Sequence, residues 1–413
     1  MISILHIVPD DKFIDFVIDD FARHSGIKNE FVLFSASPGY KPLHIKRTNE
    51  IKIVETNSEE YLKIYANTQS HIVIYHSLTH PFIINDLKTK PIIYWITWGH
   101  DYQPIIKQNL LKPKTIELYQ VVHKTTFKEP LAYKKKNTIL KNNFTRTLHR
   151  LLRNTLKKPN GQNYRQQLEK VYKRIDYCST VVPHEYSFFN KIPGFRARHL
   201  SYKIGFVNNP FSSYNNRFET LGEAILVGNS YTYTNNHPDV FYQLKNLNIS
   251  NVIIVPLSYG LNPSEHPELI DLGKSMFGDR FQPVLDFVSF EAYNAMLKKS
   301  KVAIFNHIRQ QAVGNILIML WQGSKVFLSE LSPVYKYMKE QGVFIYSVEN
   351  DLTAENIETA LTQAQKQTNR KYVFSTYSEK AIETTNNHSL RVLARKAKQR
   401  LIYKKITGTF NYR

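Results

Sequence analysis

Phe305-Asn306-His307-Ile308-Arg309-Gln310-Gln311-Ala312-Val313-Gly314-Asn315 sets a strand end, a polar turn and a helix start side by side. The apolar run Lys301 to Phe305 has the length of a short buried strand, and Val313 to Trp321 carries the apolar density of a packed helix. Open parallel sheets hold ligands at such crossovers. The unpaired N–H groups of the helix start attract phosphate, and Arg309 brings a full charge to the same place. Many polar crossovers bind nothing, so the motif gains its weight from what surrounds it.

The same pattern repeats on both sides. Ala224 to Ser230 is a strand that ends in Gly228, Asn229 and Ser230; Asn251 to Pro256 is another, followed by Leu257-Ser258-Tyr259-Gly260; Lys325 to Leu328 continues the series. Upstream, strands are expected at Ile2 to Val8, Glu30 to Ser35, His71 to Tyr75 and Pro91 to Ile96, with a helix around Phe13 to Phe21. Strands that alternate with helical segments imply α/β domains with parallel sheets. A chain of 413 residues exceeds one ordinary core. Interrupted periodicity between Phe206 and Glu223 suggests the linker, so the expected division is 1–210, 211–380 and a basic helical tail at 381–413. In that tail Leu390, Leu393, Ala397 and Leu401 share a face, to brace the first domain or to touch a membrane.

A formal charge of +21 and a pI near 9.6 call for an anionic partner: nucleic acid, an anionic membrane face or a phosphorylated substrate. The single cysteine, Cys178, excludes a disulfide framework and a cysteine-based zinc site. Met1 to Val8 lacks the basic start and cleavage site of a secretory signal, and no apolar run has the length of a membrane span. A cytoplasmic location is therefore expected. Lys134 to Arg174 holds thirteen Lys or Arg against one acid, Glu169. There Phe144, Leu148, Leu151, Leu152 and Leu156 share a helical face and Arg146, Arg150, Arg153 and Lys157 occupy the others. That pattern suits a helix lying on an anionic membrane, and equally a solvated helix packed by its leucines.

Several residues stand where strand ends would present them. His76 follows the strand ending at Tyr75, and His100 and Asp101 follow the strand ending near Ile96. Either residue type serves as a base for a hydroxyl proton, whereas a core histidine and a helix N-cap before Tyr102 to Lys107 are the plainer roles. Phe290-Glu291-Ala292-Tyr293 opens a helix, and Glu330 follows the strand at Lys325 to Leu328. No Asp-x-Asp pair occurs, and His76 and His80 lack a third ligand, so no metal is expected.

Taken together, Trp98-Gly99-His100-Asp101, Leu226-Val227-Gly228-Asn229-Ser230, Val255-Pro256-Leu257-Ser258-Tyr259-Gly260, Phe290-Glu291-Ala292-Tyr293 and Arg309-Gln310-Gln311-Ala312-Val313-Gly314 resemble the bacterial TDP-4-acetamido-4,6-dideoxygalactose transferase family, glycosyltransferase family 56, whose members add N-acetylfucosamine to lipid II of enterobacterial common antigen. The likeness is strongest from Ala224 to about Met338. It implies a GT-B fold: two facing Rossmann-like domains with a cleft, the acceptor held by the first and the donor by the second. It also implies work at the cytoplasmic face of the inner membrane on a polyprenyl-pyrophosphate-linked saccharide, with a nucleotide-sugar donor, TDP-linked by family, and no cofactor. Donor contacts would come from Gly228, Asn229, Ser230, Tyr259, Tyr293, Arg309, Gln310, Gln311, Gly314 and Glu330. Asp101 would be the base or its orienting partner, with His100 and His76 as the other candidates. The chain departs from the family in having His100 before the acid, and in the loop Tyr231-Thr232-Tyr233-Thr234, which leaves the sugar open. A fucose-like sugar on GDP or UDP is the alternative. Nucleic-acid binding is disfavoured by the absence of any helix-turn-helix, zinc-finger or RRM signature, and a non-catalytic scaffold by the retention of Gly228, Arg309 and Gly314.

Overall fold

The computed structural model describes residues 1–78, 80–102, 109–123, 161–205, 210–211 and 222–407. The basic stretch 134–160, most of the expected linker and the helix expected to follow Asp101 lie outside them. The chain divides into two compact units: one of Met1–Ile106, Lys135–Asn209 and Glu379–Arg413, the other of Lys107–Lys134 and Pro210–Ser378.

Unit 1 is built on a parallel sheet of β1 (Ile2–Ile7), β2 (Ile27–Ser35), β3 (Ile51–Glu55), β4 (Ile72–His76), β5 (Ile92–Ile96), β6 (Tyr177–Ser179) and β7 (Arg198–His199), in the order β3-β2-β1-β4-β5-β6-β7. Every residue of β4 and β5 is buried, as a sheet covered on both faces requires. Alternation sends Ile72, Ile74, Tyr94 and Ile96 into one apolar cluster and Val73, Tyr75, Ile93 and Trp95 into the other. The long helix Glu379–Thr407 closes the first cluster with Leu390, Leu393 and Ala397, so its apolar face braces unit 1. Around it Asn386 donates to Asp20 Oδ2 at 2.9 Å and to the Lys203 carbonyl at 3.0 Å, and Arg400 pairs with Asp176. Helix Gly161–Arg174, the described end of the basic stretch, packs Val171 and Tyr172 into the second cluster.

Unit 2 carries β8 (Ala224–Val227), β9 (Ile253–Pro256), β10 (Phe281–Val284), β11 (Ser300–Phe305), β12 (Lys325–Leu328) and β13 (Tyr346–Ser347), again all parallel, in the order β10-β9-β8-β11-β12-β13. Helix Val313–Gln322 follows β11 as expected and stops at Gly323, whose φ of +86° supplies the left-handed turn that a side chain resists. Helix Pro113–His123, from the first half of the sequence, also belongs here. Its start is fastened by Asp239, which accepts from Lys114 N, Thr115 N and the Thr115 hydroxyl at 2.9, 2.9 and 2.6 Å. No helix among the described residues is long and apolar enough to cross a membrane.

Candidate active site

In unit 2 the chain order reverses direction at β8 and β11, and the loops leaving their carboxyl ends meet there. Gly228, the first residue past β8, has φ +70°, and a Cβ on it would run into the His237 imidazole and the Asn235 amide. Asn235 is the hub of the site. Its Oδ1 accepts from Asn229 N at 3.1 Å and lies 2.8 Å from His307 Nε2, while its Nδ2 donates to the Ser230 carbonyl at 2.8 Å and to Ser230 Oγ at 3.0 Å. Gln311, from the loop after β11, reaches across to the same place. Its Nε2 donates to Asn229 Oδ1 at 3.0 Å, and its Oε1 accepts from Thr234 Oγ1 at 2.8 Å. Asn229 Nδ2 in turn donates to the Tyr259 hydroxyl at 2.6 Å, so the loops after β8, β9 and β11 form one polar network.

Arg309 and Gln310 sit beside it. Arg309 is half-buried and donates from Nη1 to the Gln310 carbonyl at 3.1 Å. Gln310 is buried, and its Oε1 has no hydrogen-bond partner among the described residues. Ala312 holds φ +58° at the start of helix Val313–Gln322, a left-handed conformation unusual for a residue with a side chain. Gly314 lies in the first turn of that helix, and Asn315 donates to the Tyr293 hydroxyl at 2.8 Å. Burial, with the nearby Tyr259 adding to it, pushes the Tyr293 phenol well up. His237 is pushed down to about 3 by burial, and His307 well below its ordinary value by burial and then by the charge of Arg309. Both imidazoles are therefore neutral, and the cationic character of this edge rests on Arg309 and the helix start.

Glu330 accepts from Asn350 Nδ2 at 2.7 Å and lies on a second network that sequence reasoning missed. Its N–H donates to Glu349 Oε2 at 3.0 Å; Glu349 Oε1 also accepts from Ser329 Oγ at 2.6 Å and from Lys112 Nζ at 2.7 Å. Desolvation pushes the Glu349 carboxyl up, but these hydrogen bonds and the Lys112 charge together hold it below its ordinary value. Lys112 also bonds Asn306, and its backbone N–H donates to Asn236 Oδ1 at 2.9 Å. No local motif marks Lys112 or Glu349. The only sequence signals are a lysine before Pro113 and an acid after a short β-branched run.

Unit 1 treats its expected residues differently from one another. His76 is wholly buried, with Nε2 3.1 Å from His6 Nδ1, and His6 Nε2 is 3.1 Å from Asn29 Oδ1. Burial drives His76 well down, and drives His6 to about 3 against the raising effect of Asn29, so the pair is a neutral hydrogen-bonded element of the core with no face for a substrate. Asp101 is buried as well. Its Oδ2 accepts from Leu78 N and Trp95 Nε1, each at 2.9 Å, and its Oδ1 from Trp98 N at 3.0 Å. That carboxylate is occupied in tying the ends of β4 and β5 together, which is an orienting role. His100 is exposed, with Nε2 3.3 Å from the Ser77 hydroxyl. No cluster of three metal-ligating side chains occurs among the described residues.

The family model described as 4-alpha-L-fucosyltransferase glycosyl transferase group 56 matches residues 199–385. In fold the chain is similar to sucrose-phosphate synthase from Thermosynechococcus elongatus, at TM-score 0.61 and 8% identity over 96% of this chain and 100% of that one. It is similar also to Anabaena HepE in complex with UDP and glucose, at TM-score 0.57 and 9% identity over 96% and 100%. The Escherichia coli trehalose-6-phosphate protein bound with UDP-2-fluoro glucose gives TM-score 0.55 and 10% identity over 96% and 99%. Two units, each with a parallel sheet covered by helices, constitute the GT-B fold that these proteins share. Residues 199–385, which carry Gly228, Asn235 and Gln311, are thus similar to the 4-alpha-L-fucosyltransferase family, glycosyltransferase group 56, and that match together with the GT-B fold supports a glycosyltransferase.

Proposed function

We propose that the enzyme moves a 4-acetamido-4,6-dideoxygalactose or fucose-like sugar from a nucleoside-diphosphate donor, TDP-linked by family, to a polyprenyl-pyrophosphate-linked saccharide in surface-polysaccharide assembly. The observation that carries this reading is the network in which Gln311 joins Asn229 at 3.0 Å, because it rigidifies the strand-end loops around backbone N–H groups and Arg309. In this reading Arg309 and the start of helix Val313–Gln322 neutralise the leaving diphosphate, in place of a divalent cation. Gly228 lets the donor approach the backbone beside Asn229 and Ser230. Tyr259, with 54% of its surface exposed, covers the base or ribose, and Glu330 accepts from a ribose or sugar hydroxyl. The net charge of +21 and the leucine-faced basic stretch support work as a peripheral protein on the anionic cytoplasmic face of the inner membrane.

Calorimetric titration with TDP, UDP and GDP in the presence of EDTA tests the donor site. Binding of at least one without divalent metal is the expected result, and the ranking names the carrier. A preference for UDP, the nucleotide in the HepE complex, would move the donor to the alternative. If none binds, the donor assignment fails.

A further inference from the structure

We propose that Asp11 is the catalytic base of the transfer, at an acceptor site on the carboxyl edge of the unit 1 sheet; this rests on the glycosyl transfer proposed above. In the order β3-β2-β1-β4-β5 the strand β1 has β2 on one side and β4 on the other, so the loops after β1 and β4 part at this edge and leave a crevice. Asp11 stands in the loop after β1, Ser77 directly after β4 and His100 after β5. Ser77 holds φ +74°, a strained value for a serine, and its hydroxyl lies 3.3 Å from His100 Nε2.

Two adjacent acids here have opposite fates. Asp10 is absorbed by structure: its Oδ2 accepts from the Tyr40 hydroxyl and Leu43 N, each at 2.7 Å, and its Oδ1 from His44 N and Ile45 N at 3.0 and 3.3 Å. Desolvation raises its carboxyl, but those four hydrogen bonds outweigh it and hold the group below the ordinary value. The same bonds draw the loop carrying His44 up beside Asp11. The Asp11 carboxylate accepts one hydrogen bond among the described residues, from Phe13 N to Oδ1 at 3.0 Å. Burial raises its carboxyl; the Phe13 N–H and the charges of Lys12, His44 and His100 pull the other way without cancelling it. Neighbouring carboxyls pushed apart in this way divide structural from chemical work. Among the three residues expected from sequence, Asp101 has its oxygens taken up and His76 has no surface, so the carboxylate left at this edge is Asp11.

The step balances as a single displacement. The acceptor oxygen bonds to the anomeric carbon while the bond from that carbon to the β-phosphate oxygen breaks, and that electron pair leaves on the nucleoside diphosphate. The hydroxyl proton passes to the Asp11 carboxylate and then to solvent. His100 and Ser77 orient the attacking sugar.

The test uses the full chain with TDP-, UDP- and GDP-linked 6-deoxyhexoses and a polyprenyl-pyrophosphate-linked disaccharide. Asp11→Asn keeps the oxygen that accepts from Phe13 N, so a merely structural Asp11 tolerates it. As a base it does not: kcat falls by roughly 10² to 10⁴. Nucleoside-diphosphate affinity and the melting temperature stay at wild-type values. The acid limb of the kcat/KM profile, where wild-type activity rises as Asp11 loses its proton, disappears in the variant. Wild-type transfer with near-normal turnover of Asp11→Asn overturns the assignment alone and leaves the leaving phosphate as base. A wild type that binds nucleotide yet transfers to no acceptor overturns the transfer reading and Asp11 with it.

Discussion

Arg309 illustrates how one side chain sets the chemistry of an edge whose other titratable groups have been silenced. His307 and His237 are buried and held neutral, so the fixed charge beside the helix start is the guanidinium. Replacing Arg309 with Ala is expected to weaken nucleoside-diphosphate binding by about 1.5–3 kcal/mol, the range for a charge-assisted hydrogen bond. Lys in its place is expected to recover part of that, because a planar fork becomes a point charge. Calorimetry on both variants reads the difference directly, and an alanine variant that binds at wild-type strength would remove Arg309 from the site. At this scale the sequence was informative where small and polar residues close a strand: Asn229, Tyr259 and Gln311 lie in one network, and Gly228 packs closely against Asn235 beside it. It was silent on Asn235, Lys112 and Glu349. Lys112 and Glu349 meet across 237 positions of chain, a pairing that no local pattern encodes.

At the scale of elements, legibility followed length and burial. The apolar runs of β1, β4, β5, β11 and β12 lie within a residue or two of where their composition puts them, because strands covered on both faces write themselves as continuous hydrophobic segments. Four short strands at or next to the sheet edges were not read. β7 and β13 are two residues long, β6 is three, and β10 contains Pro283, so none offers a period to recognise. The spacing of Leu390, Leu393 and Ala397 showed a buried face but not its partner, since lipid and protein are equally apolar. The partner is the β1 side of the unit 1 core. Leu393 has no exposed surface, so Leu393→Ala is expected to destabilise unit 1 by about 2–5 kcal/mol. Urea denaturation followed by near-UV circular dichroism measures it, and an unchanged midpoint would mean the helix is dispensable to that core.

For the whole molecule, the excess of positive charge remains to be assigned a surface. The described part of the basic stretch, helix Gly161–Arg174, packs into unit 1, while Arg146, Arg150 and Arg153 lie outside the described residues. If those arginines hold the protein on anionic lipid, sedimentation with phosphatidylglycerol vesicles falls at high salt, as the Debye length shrinks from about 10 Å at 0.1 M towards 3 Å at 1 M. Charge reversal of the three to Glu then abolishes binding while nucleotide affinity is unchanged. Equal sedimentation of wild type and variant would return the stretch to an ordinary solvated helix.

The path of the chain through the two units has a consequence for how the protein is made. Unit 1 is begun by Met1 but finished by Glu379–Thr407, and unit 2 borrows Pro113–His123 from the earlier sequence. On the ribosome, where domains ordinarily fold in the order they emerge, the nascent first half waits with the β1 face of its sheet uncovered until all of unit 2 has been synthesised. The later-encoded unit is thus the first able to mature. A ribosome stalled before Leu390 would present an adhesive, unfinished sheet, which makes translation speed and chaperone supply part of this enzyme's yield.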